Sequence, residues 1–497
     1  MLGLVDARVD GGRSAGGLGM SPFAWLVCFA WVPVSLLAFA MLRPHIAVLV
    51  VMMSGFLFLP NLELLRDRPF PWEKREAIGL VLTLGVLAFD SRRVLRFRPR
   101  WMDAFVGLWL VVPSISSLAN GHGPYDAGSA LMHRWLLWGA AYFVGALYLR
   151  THKDLRDVLW AVFLGGLAYV PLCLIEVRLS PQLHYWLYGM HQHPFFSQTK
   201  RGGGFRPMVF LDHGLQASLW MATAMVAGAG LWWLLRVRQA RGFSMGWLVA
   251  AVAVAWVLSK STGAMVIGGL GLMMLALSSM HWLRIGVMIA VVTYLAARLF
   301  GDGVIEQWLV DAAGMVSADR AQSLQFRYDN EAVLLERCWQ RPLFGSSPWG
   351  FNTFEGYDSS SSVKYAVPDS LWIYAFTING LVGLIGVIGS LLVPAVRTFT
   401  LAALWRNRIS PESLICALIV MMYLVDSLVN GFKTPIYIFM AGGLSRVLVR
   451  PSATDTETPS STKHVASRSP LQPRSADSGL HRDRVLEPRG RPTNLGE

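Results

Sequence analysis

Two arginines lie on either side of a glycine run in the segment 178–212. Arg201 stands directly before the glycines at 202–204, and Arg206 follows two residues after them. A guanidinium group binds phosphate through two parallel hydrogen bonds, so this pattern favours contact with a phosphate group. The alternative is that both side chains reach lipid headgroups at a membrane surface. The sequence therefore predicts that Arg201 and Arg206 meet a phosphate, which belongs either to a substrate or to a lipid.

A second pair of arginines occupies a predicted amphipathic helix in the segment 301–368. Ser317 is suited to the N-cap of this helix, and Pro342 with Gly345 is expected to end it. Arg320 and Arg327 are seven residues apart, which places them on one face after two helical turns. Both are candidate functional residues on this shared face. The alternative is a solvated helix that lies on the membrane surface.

Two residues could accept a proton at the start of predicted membrane helices. Asp369 opens one such helix, and His213 opens another directly after Asp212. A carboxylate at a membrane boundary is partly desolvated, which raises its pKa towards the range useful to a general base. Both residues could instead only cap the helices that they precede. Glu176 is close enough along the chain to Arg178 to predict a simple ion pair.

The sequence predicts no metal site and no cofactor. His184, His191 and His193 lie among aromatic residues, where an H-x-H pair is more often interfacial than metal-binding. Of the four cysteines, three fall in apolar blocks and Cys338 stands alone in the segment 301–368. Their spacing indicates neither a disulfide framework nor a set of metal ligands.

Apolar helices must position these residues. Hydrophobic residues make up 54% of the 497-residue chain and charged residues 15%, whereas soluble domains contain about 25% charged residues. The mean hydropathy is +0.44. The apolar residues come in blocks long enough to cross about 30 Å of hydrocarbon, where the backbone must pair internally and helix is expected. The blocks are 22–41, 45–62, 77–89, 102–119, 131–149, 157–177, 213–235, 245–259, 262–280, 284–300, 369–396, 413–430 and 435–449.

The blocks 45–62 and 77–89 are short, so the fold class is an all-α, polytopic transmembrane bundle of about 12–13 spans. Basic residues fill the alternate connections 92–100, 150–156, 236–241 and 397–408, and the positive-inside rule makes that side cytoplasmic. The segments 120–130, 178–212 and 301–368 then face the periplasm. The +13 net charge is thus explained by topology, and no nucleic-acid partner is expected.

The predicted organisation has five parts. Residues 1–20 form a flexible N-terminus, and 21–300 a transmembrane bundle that includes the periplasmic loop 178–212. A large periplasmic loop with amphipathic helices follows at 301–368, and C-terminal transmembrane helices at 369–450. Residues 451–497 are rich in Pro, Ser, Thr and charged residues and predict a disordered cytoplasmic tail.

The chain resembles the bacterial O-antigen ligase and polymerase superfamily across roughly residues 20–450. The resemblance rests on G-G-G-F-R-P before a span, on the turn S-K-S-T-G-A, and on F-R-Y-D-N-E-A-V-L-L-E-R-C-W-Q-R-P-L-F-G followed by D-S-L-W-I-Y-A-F-T-I-N-G-L-V-G-L-I-G. Where the family usually has a His-Asn pair, this chain has Asp369 and Ser370. Asp369 is then expected to replace the family's base, with His213 as the second candidate.

The resemblance implies an inner-membrane, metal-independent glycosyltransferase that uses no cofactor. Such enzymes move a glycan from an undecaprenyl-pyrophosphate donor to the hydroxyl of a glycan or lipid acceptor at the periplasmic face. Arg206 and Arg327 match family arginines and are assigned to the pyrophosphate, together with Arg201 and Arg320. Ligase and polymerase activity share this donor chemistry. The alternative function is a secondary transporter or flippase for an anionic or lipid-linked substrate.

Overall fold

The computed structural model describes residues 21–61, 73–192, 199–201, 203–277, 279–350, 355–357, 363–365, 368–405 and 409–447. The segments 1–20 and 451–497, for which the sequence predicts a flexible N-terminus and a disordered tail, lie outside the described residues. The described part is mostly helical, as the predicted all-α class requires.

Apolar residues build the helices of the first half of the chain. They are α1 (Pro22–Met41), α2 (Pro44–Phe58), α3 (Lys74–Phe89), α4 (Ser91–Leu95), α5 (Asp103–Ala119), α6 (Pro124–Arg134), α7 (Ala140–Tyr148), α8 (His152–Leu179) and α9 (Leu183–Tyr188). A single π-helical stretch, Trp135–Gly139, joins α6 to α7. A proline stands at the first helical position of α1, α2 and α6, where its missing N–H costs no hydrogen bond.

The second half of the chain begins at α10 and includes three described helices between α13 and α17. Its helices are α10 (Gly214–Trp233), α11 (Met245–Leu258), α12 (Thr262–Ala276), α13 (His281–Phe300), α14 (Val304–Val316), α15 (Ala318–Cys338), α16 (Ser347–Gly350), α17 (Leu371–Leu404), α18 (Pro411–Asp426) and α19 (Pro435–Leu444). Three antiparallel hairpins pair β1 (Lys200–Arg201) with β2 (Gly204–Phe205), β3 (Gln239–Ala240) with β4 (Phe243–Ser244), and β5 (Glu355–Tyr357) with β6 (Val363–Tyr365).

Every apolar block identified in the sequence contains a helix of the described structure. Four of these helices, α1, α8, α13 and α17, are long and apolar enough to cross a membrane. The mean hydropathy of the most apolar 18 residues in each lies between 1.8 and 2.2. Five further apolar helices among the described residues are shorter, at 10–17 residues. The predicted helix after Ser317 is also present as α15. Ser317 occupies its N-cap position but makes no capping hydrogen bond through its side chain, and α15 ends at Cys338, before Pro342.

One long helix, α17, is interrupted. Gly380 has a φ of +64°, and a Cβ at this position would overlap the backbone of Leu343. The segment 342–346 lies against the interruption: Leu381 N donates to the carbonyl of Pro342 at 2.7 Å, and Ser346 N donates to the carbonyl of Thr377 at 2.9 Å. A glycine is needed here for two reasons: its backbone has a positive φ, and another backbone segment lies where a side chain would be.

The helices gather their ends at two places. At one, which we call the candidate-site end, the starts of α3, α10 and α19 meet: Lys74 Nζ donates to Phe210 O, and Gln216 Nε2 donates to Thr434 Oγ1. The start of α17 joins the connection between α18 and α19 there, since Leu371 N donates to Ser427 O. At the opposite end, the buried side chain of Arg446 forms an ion pair with Asp103, and Tyr148 donates to Asp90. The candidate-site end therefore holds the starts of the two helices that His213 and Asp369 precede, α10 and α17.

Candidate functional site

Arg327 joins α15 to the connection between α18 and α19. Its Nη1 donates to the carbonyl of Val429 at 2.6 Å and to Asn430 Oδ1 at 3.3 Å. Asn430 in turn donates to the buried Asp426 at 2.8 Å. Arg327 is half-buried and, among the described residues, has no carboxylate oxygen within 4.0 Å. Its positive charge is thus held in place by neutral acceptors.

Asp369 lies two residues before α17 and is half-buried. Burial raises the pKa of Asp369 above its usual value, and the nearby positive charge of Arg327 partly lowers it again. The expected combination of a partly desolvated carboxylate and an arginine is therefore present. The helix start at Ser370 shows no capping hydrogen bond from the Ser370 side chain, which points elsewhere.

A buried glutamate that sequence reasoning missed organises these two residues. Glu331, one helical turn after Arg327, accepts a 2.6 Å hydrogen bond from Ser370 Oγ and a 2.7 Å charged hydrogen bond from Arg298. Burial raises the pKa of Glu331, while Ser370 and Arg298 counteract that rise. The i, i+4 spacing of Arg327 and Glu331 on α15 was the available signal. The role of Glu331 depends on its contacts with Ser370 and Arg298, which are distant in sequence and therefore not apparent from this spacing.

His213 and Arg206 meet at the start of α10. His213 is the N-cap residue: its Nδ1 accepts a hydrogen bond from Leu215 N at 3.0 Å, and its ring lies 5.8 Å from that of Phe432. The side chain of the buried Arg206 lies against Gly214, where a Cβ would overlap its Cδ. The capping role predicted as one alternative for His213 is confirmed. A role in proton transfer stays a prediction.

The other two candidate arginines are less closely tied to this arrangement. The backbone of Arg201 pairs with Gly204 in the β1–β2 hairpin, and its side chain lies outside the described residues. The side chain of Arg320 is exposed on α15. Of the four arginines assigned from sequence, Arg206 and Arg327 are the ones whose described side chains reach the helix ends.

Glu176 does not form the predicted pair with Arg178. It is buried in the last turn of α8, and its carboxylate accepts backbone hydrogen bonds from Leu183, Met208 and Val209 at 2.7–3.1 Å. Arg178 is exposed. The three buried N–H groups offer the carboxylate better partners than a solvated guanidinium does, which explains why the ion pair is not formed. Through these bonds the carboxylate holds the segment before α10 in position.

A further group of polar residues lies beside the α18–α19 connection. The ammonium of Lys433 lies 4.0 Å from the centroid of the Tyr374 ring. The Tyr374 hydroxyl interacts with Lys433 and with Arg134, which is buried at the end of α6. Arg75 is close to the same hydroxyl and forms ion pairs with Glu73 and Asp212. None of these cations was singled out from the sequence, because they come from three segments that are far apart along the chain.

One short connection, residues 427–434, therefore contacts two of the candidate residues, Arg327 and His213. It accepts hydrogen bonds from Arg327, places Phe432 beside His213 and places Lys433 over Tyr374. Such a concentration of cations beside a carboxylate is suited to binding an anionic group and moving a proton nearby. Within the described residues, no group of three or more His, Cys, Asp or Glu side chains could hold a metal ion.

Comparison with known proteins adds no assignment to this geometry. No family model matches the chain, and no curated protein matches it.

Proposed function

We propose that the protein is an inner-membrane glycan transferase, an O-antigen or exopolysaccharide ligase or polymerase. It would move a glycan from an undecaprenyl-pyrophosphate donor to an acceptor hydroxyl at the periplasmic face. One observation carries the proposal: Arg327 and the half-buried Asp369 lie together at the candidate-site end, beside the connection that also contacts His213. The sequence resemblance assigned the same three residues to this chemistry.

The distribution of charge supports a polytopic arrangement with this end in the periplasm. The basic connection 92–100 lies at the opposite end, where Arg446 donates to the carbonyl of Arg98 and Arg100 to that of Ser445. Arg397 also belongs to that end, since it donates to the carbonyl of Val447. By the positive-inside rule the opposite end is cytoplasmic, which leaves the candidate site facing the periplasm.

The proposed reaction needs charge stabilisation and one proton acceptor. The acceptor oxygen forms a bond to the anomeric carbon of the donor glycan, while the bond from that carbon to the pyrophosphate oxygen breaks. The hydroxyl proton goes to Asp369, with His213 as the second candidate. Undecaprenyl pyrophosphate leaves with the bonding electron pair, and Arg327 and Arg206 stabilise its negative charge in a partly dehydrated site. Arg201 and Arg320 would contribute from the rim.

A transporter or flippase for an anionic or lipid-linked substrate is the second candidate. The observation that favours it is the interruption of α17 at Gly380, near the fully buried Asn379, whose side-chain amide has no hydrogen-bond partner among the described residues. Interrupted helices carry the substrate sites of many transporters. The charged candidate residues, however, lie at the helix ends rather than at this interruption, which favours the transferase.

Deletion of the gene followed by gel analysis of surface glycans tests the proposal. Loss of a polymerase leaves single repeats, and loss of a ligase leaves lipid-linked polymer unattached. Complementation with Arg327→Gln or Asp369→Asn should fail at normal protein levels, whereas Arg178→Gln, an exposed change near the same end, should restore the glycan. Unchanged glycans together with lost uptake of a solute would favour the transporter.

A further inference from the structure

Arg134 is a buried cation that has no acidic partner in the part of the chain that the structure describes. Its side chain is 3% exposed, and within the described residues no carboxylate oxygen lies within 4.0 Å of its guanidinium. It lies 3.7 Å over the ring of Trp109, and its Nε has no hydrogen-bond partner among the described residues. Removing a cation from water is costly unless an anion compensates it. The ring and the Tyr374 hydroxyl offset only part of that cost.

Lys433 is a second cation in the same situation. It is half-buried over Tyr374 and, like Arg134, has no carboxylate oxygen within 4.0 Å among the described residues. Of the neighbouring acids, Glu73 and Asp212 pair with Arg75, whereas Glu76, 3.3 Å from His133, attracts Lys433 only from beyond 4.0 Å. Arg134 and Lys433 thus share one hydroxyl, that of Tyr374, and neither cation has a carboxylate within ion-pair distance in the described part of the chain.

The surroundings of Arg134 also depart from regular structure. It is the last residue of α6, and the π-helical stretch Trp135–Gly139 begins directly after it. Short π-helical segments inside helices frequently occur at functional sites. Lys433 comes from the connection that also holds Arg327, three residues after Asn430. The two cations therefore border the candidate site from α6 and from the α18–α19 connection.

We infer that Arg134, Lys433 and Tyr374 form an anion-binding site that takes a phosphate or pyrophosphate group. The guanidinium and the ammonium supply the positive charge, and the Tyr374 hydroxyl donates a hydrogen bond to a phosphate oxygen. The inference deepens the proposed function, on which it rests only for the identity of the natural ligand. A lipid-linked diphosphate and a phospholipid headgroup present the same chemistry to these residues.

Binding of ³²P-labelled pyrophosphate to the purified full-length protein in phosphatidylcholine nanodiscs tests the site. The wild type should bind saturably, and Lys433→Gln should bind about tenfold more weakly or worse, as expected for a lost charged hydrogen bond. Lys433→Arg should retain most of the binding, and the exposed Arg178→Gln should bind as the wild type does. Equal binding by Lys433→Gln and the wild type would overturn the inference.

Replacement of Arg134 separates a binding role from a structural one. Arg134→Met removes an uncompensated buried charge while keeping much of its apolar stem, so the ligand-free variant should melt at the same or a higher temperature. Its pyrophosphate binding should be lost. A lower melting temperature with undiminished binding would contradict the inference. If this variant fails to fold, Arg134→Lys, which keeps the charge, and Lys433→Gln decide the matter.

Two further arms identify the source of the phosphate. Farnesyl diphosphate should displace labelled pyrophosphate, whereas nanodiscs that contain phosphatidylglycerol should do so only if a phospholipid headgroup is the ligand. Either displacement supports the site, and displacement by neither opposes it. Lys433-dependent binding in a protein whose deletion leaves all glycans unchanged would preserve the site and refute the proposed function. Loss of glycan on deletion, together with no Lys433-dependent binding, would support the proposed function and refute the anion-binding site.

Discussion

The Oγ hydroxyl of Ser370 donates a 2.6 Å hydrogen bond to Oε1 of Glu331, and both residues are buried. Ser370 follows Asp369 directly, and Glu331 lies one turn after Arg327. The bond therefore fixes the proposed base relative to the proposed anion-binding arginine. Arg298 holds the other oxygen of Glu331 at 2.7 Å and also pairs with Glu306, so the bond belongs to a buried network that joins α13, α14, α15 and α17.

Loss of this hydrogen bond should weaken both the fold and the activity. Ser370→Ala leaves a buried carboxylate oxygen without its donor, which should cost about 1–3 kcal/mol of unfolding free energy. Transfer should slow even where the variant is fully folded, because Asp369 is no longer held against α15. Thermal unfolding and a transfer assay on the same preparations measure the two effects. Ser370→Thr, which keeps the hydroxyl, serves as control, and equal activity of Ala, Thr and wild type would contradict the positioning role.

Arg327 should be more sensitive to its geometry than to its charge. Arg327→Lys keeps the positive charge but cannot make both the contact to Val429 O and that to Asn430 Oδ1 in the planar geometry of a guanidinium. We expect about a tenfold or greater loss of transfer for Lys and a larger loss for Gln. Steady-state kinetics should be compared with Arg341→Gln, an exposed arginine just after α15. A loss as large in Arg341→Gln would show a general effect of charge.

The contribution of Asp369 to the free energy of unfolding should decrease as the pH rises. Burial raises its pKa above 3.8, so the folded protein binds this proton more tightly than the unfolded chain does. Its stabilising effect is complete below the unfolded pKa and is lost as the pH rises through the folded one. Asp369→Asn should therefore raise the melting temperature at pH 7 but not at acidic pH, while it removes transfer activity. A lower melting temperature at pH 7 would contradict the sign.

The acid limb of the activity profile provides a second measurement of the same group. The proposed mechanism requires ionised Asp369, so the rate of transfer should fall with decreasing pH through its pKa. Arg327 lowers that pKa. In Arg327→Lys, which keeps the positive charge, the acid limb of the residual activity should stay at the wild-type pH. In Arg327→Gln, which loses the charge, the acid limb should move to higher pH. An unmoved limb in Arg327→Gln would assign the titration to another residue.

Glu176 should matter to folding more than its position in an apolar helix indicates. Its carboxylate accepts three buried backbone hydrogen bonds, so Glu176→Ala leaves these N–H groups unpaired and should cost about 3 kcal/mol or more. Glu176→Gln keeps one acceptor oxygen and should lose less. Chemical or thermal unfolding in detergent measures the difference, with Arg178→Gln as the neighbouring control. A neutral Glu176→Ala would mean that the bonds are exchanged for water.

Much of the helical layout follows from the sequence alone, because long apolar runs have few ways to satisfy their backbone groups. The starts of α1, α10, α11, α12 and α19 lie within one residue of the predicted block boundaries. The interruption at Gly380 was not predicted, since a glycine within an apolar run is compatible with an unbroken helix. It depends on the backbone of Leu343 approaching from a different segment.

The candidate site was predictable only in part. Arg206, Arg327, Asp369 and His213 stand at helix starts or on an amphipathic helix, where charged side chains are conspicuous in an apolar sequence. The local signal of Glu331 is limited to its i, i+4 spacing from Arg327, and Lys433 has none. Their significance comes from Ser370 and Tyr374, which reach them through the folding of α17 against α15 and the α18–α19 connection. Tertiary contacts of this kind are not encoded in the spacing of nearby residues.

The most direct test of the account is transfer by the purified protein. Wild type and Arg327→Gln should be placed in nanodiscs with an undecaprenyl-pyrophosphate-linked oligosaccharide from the same bacterium and a matching acceptor, and the products separated on a gel. The account predicts metal-independent formation of the longer or acceptor-linked glycan, with release of undecaprenyl pyrophosphate, by the wild type and far less of this product by the variant. Equal product from both, or none from a folded wild type that instead moves the intact donor across the bilayer, would contradict it.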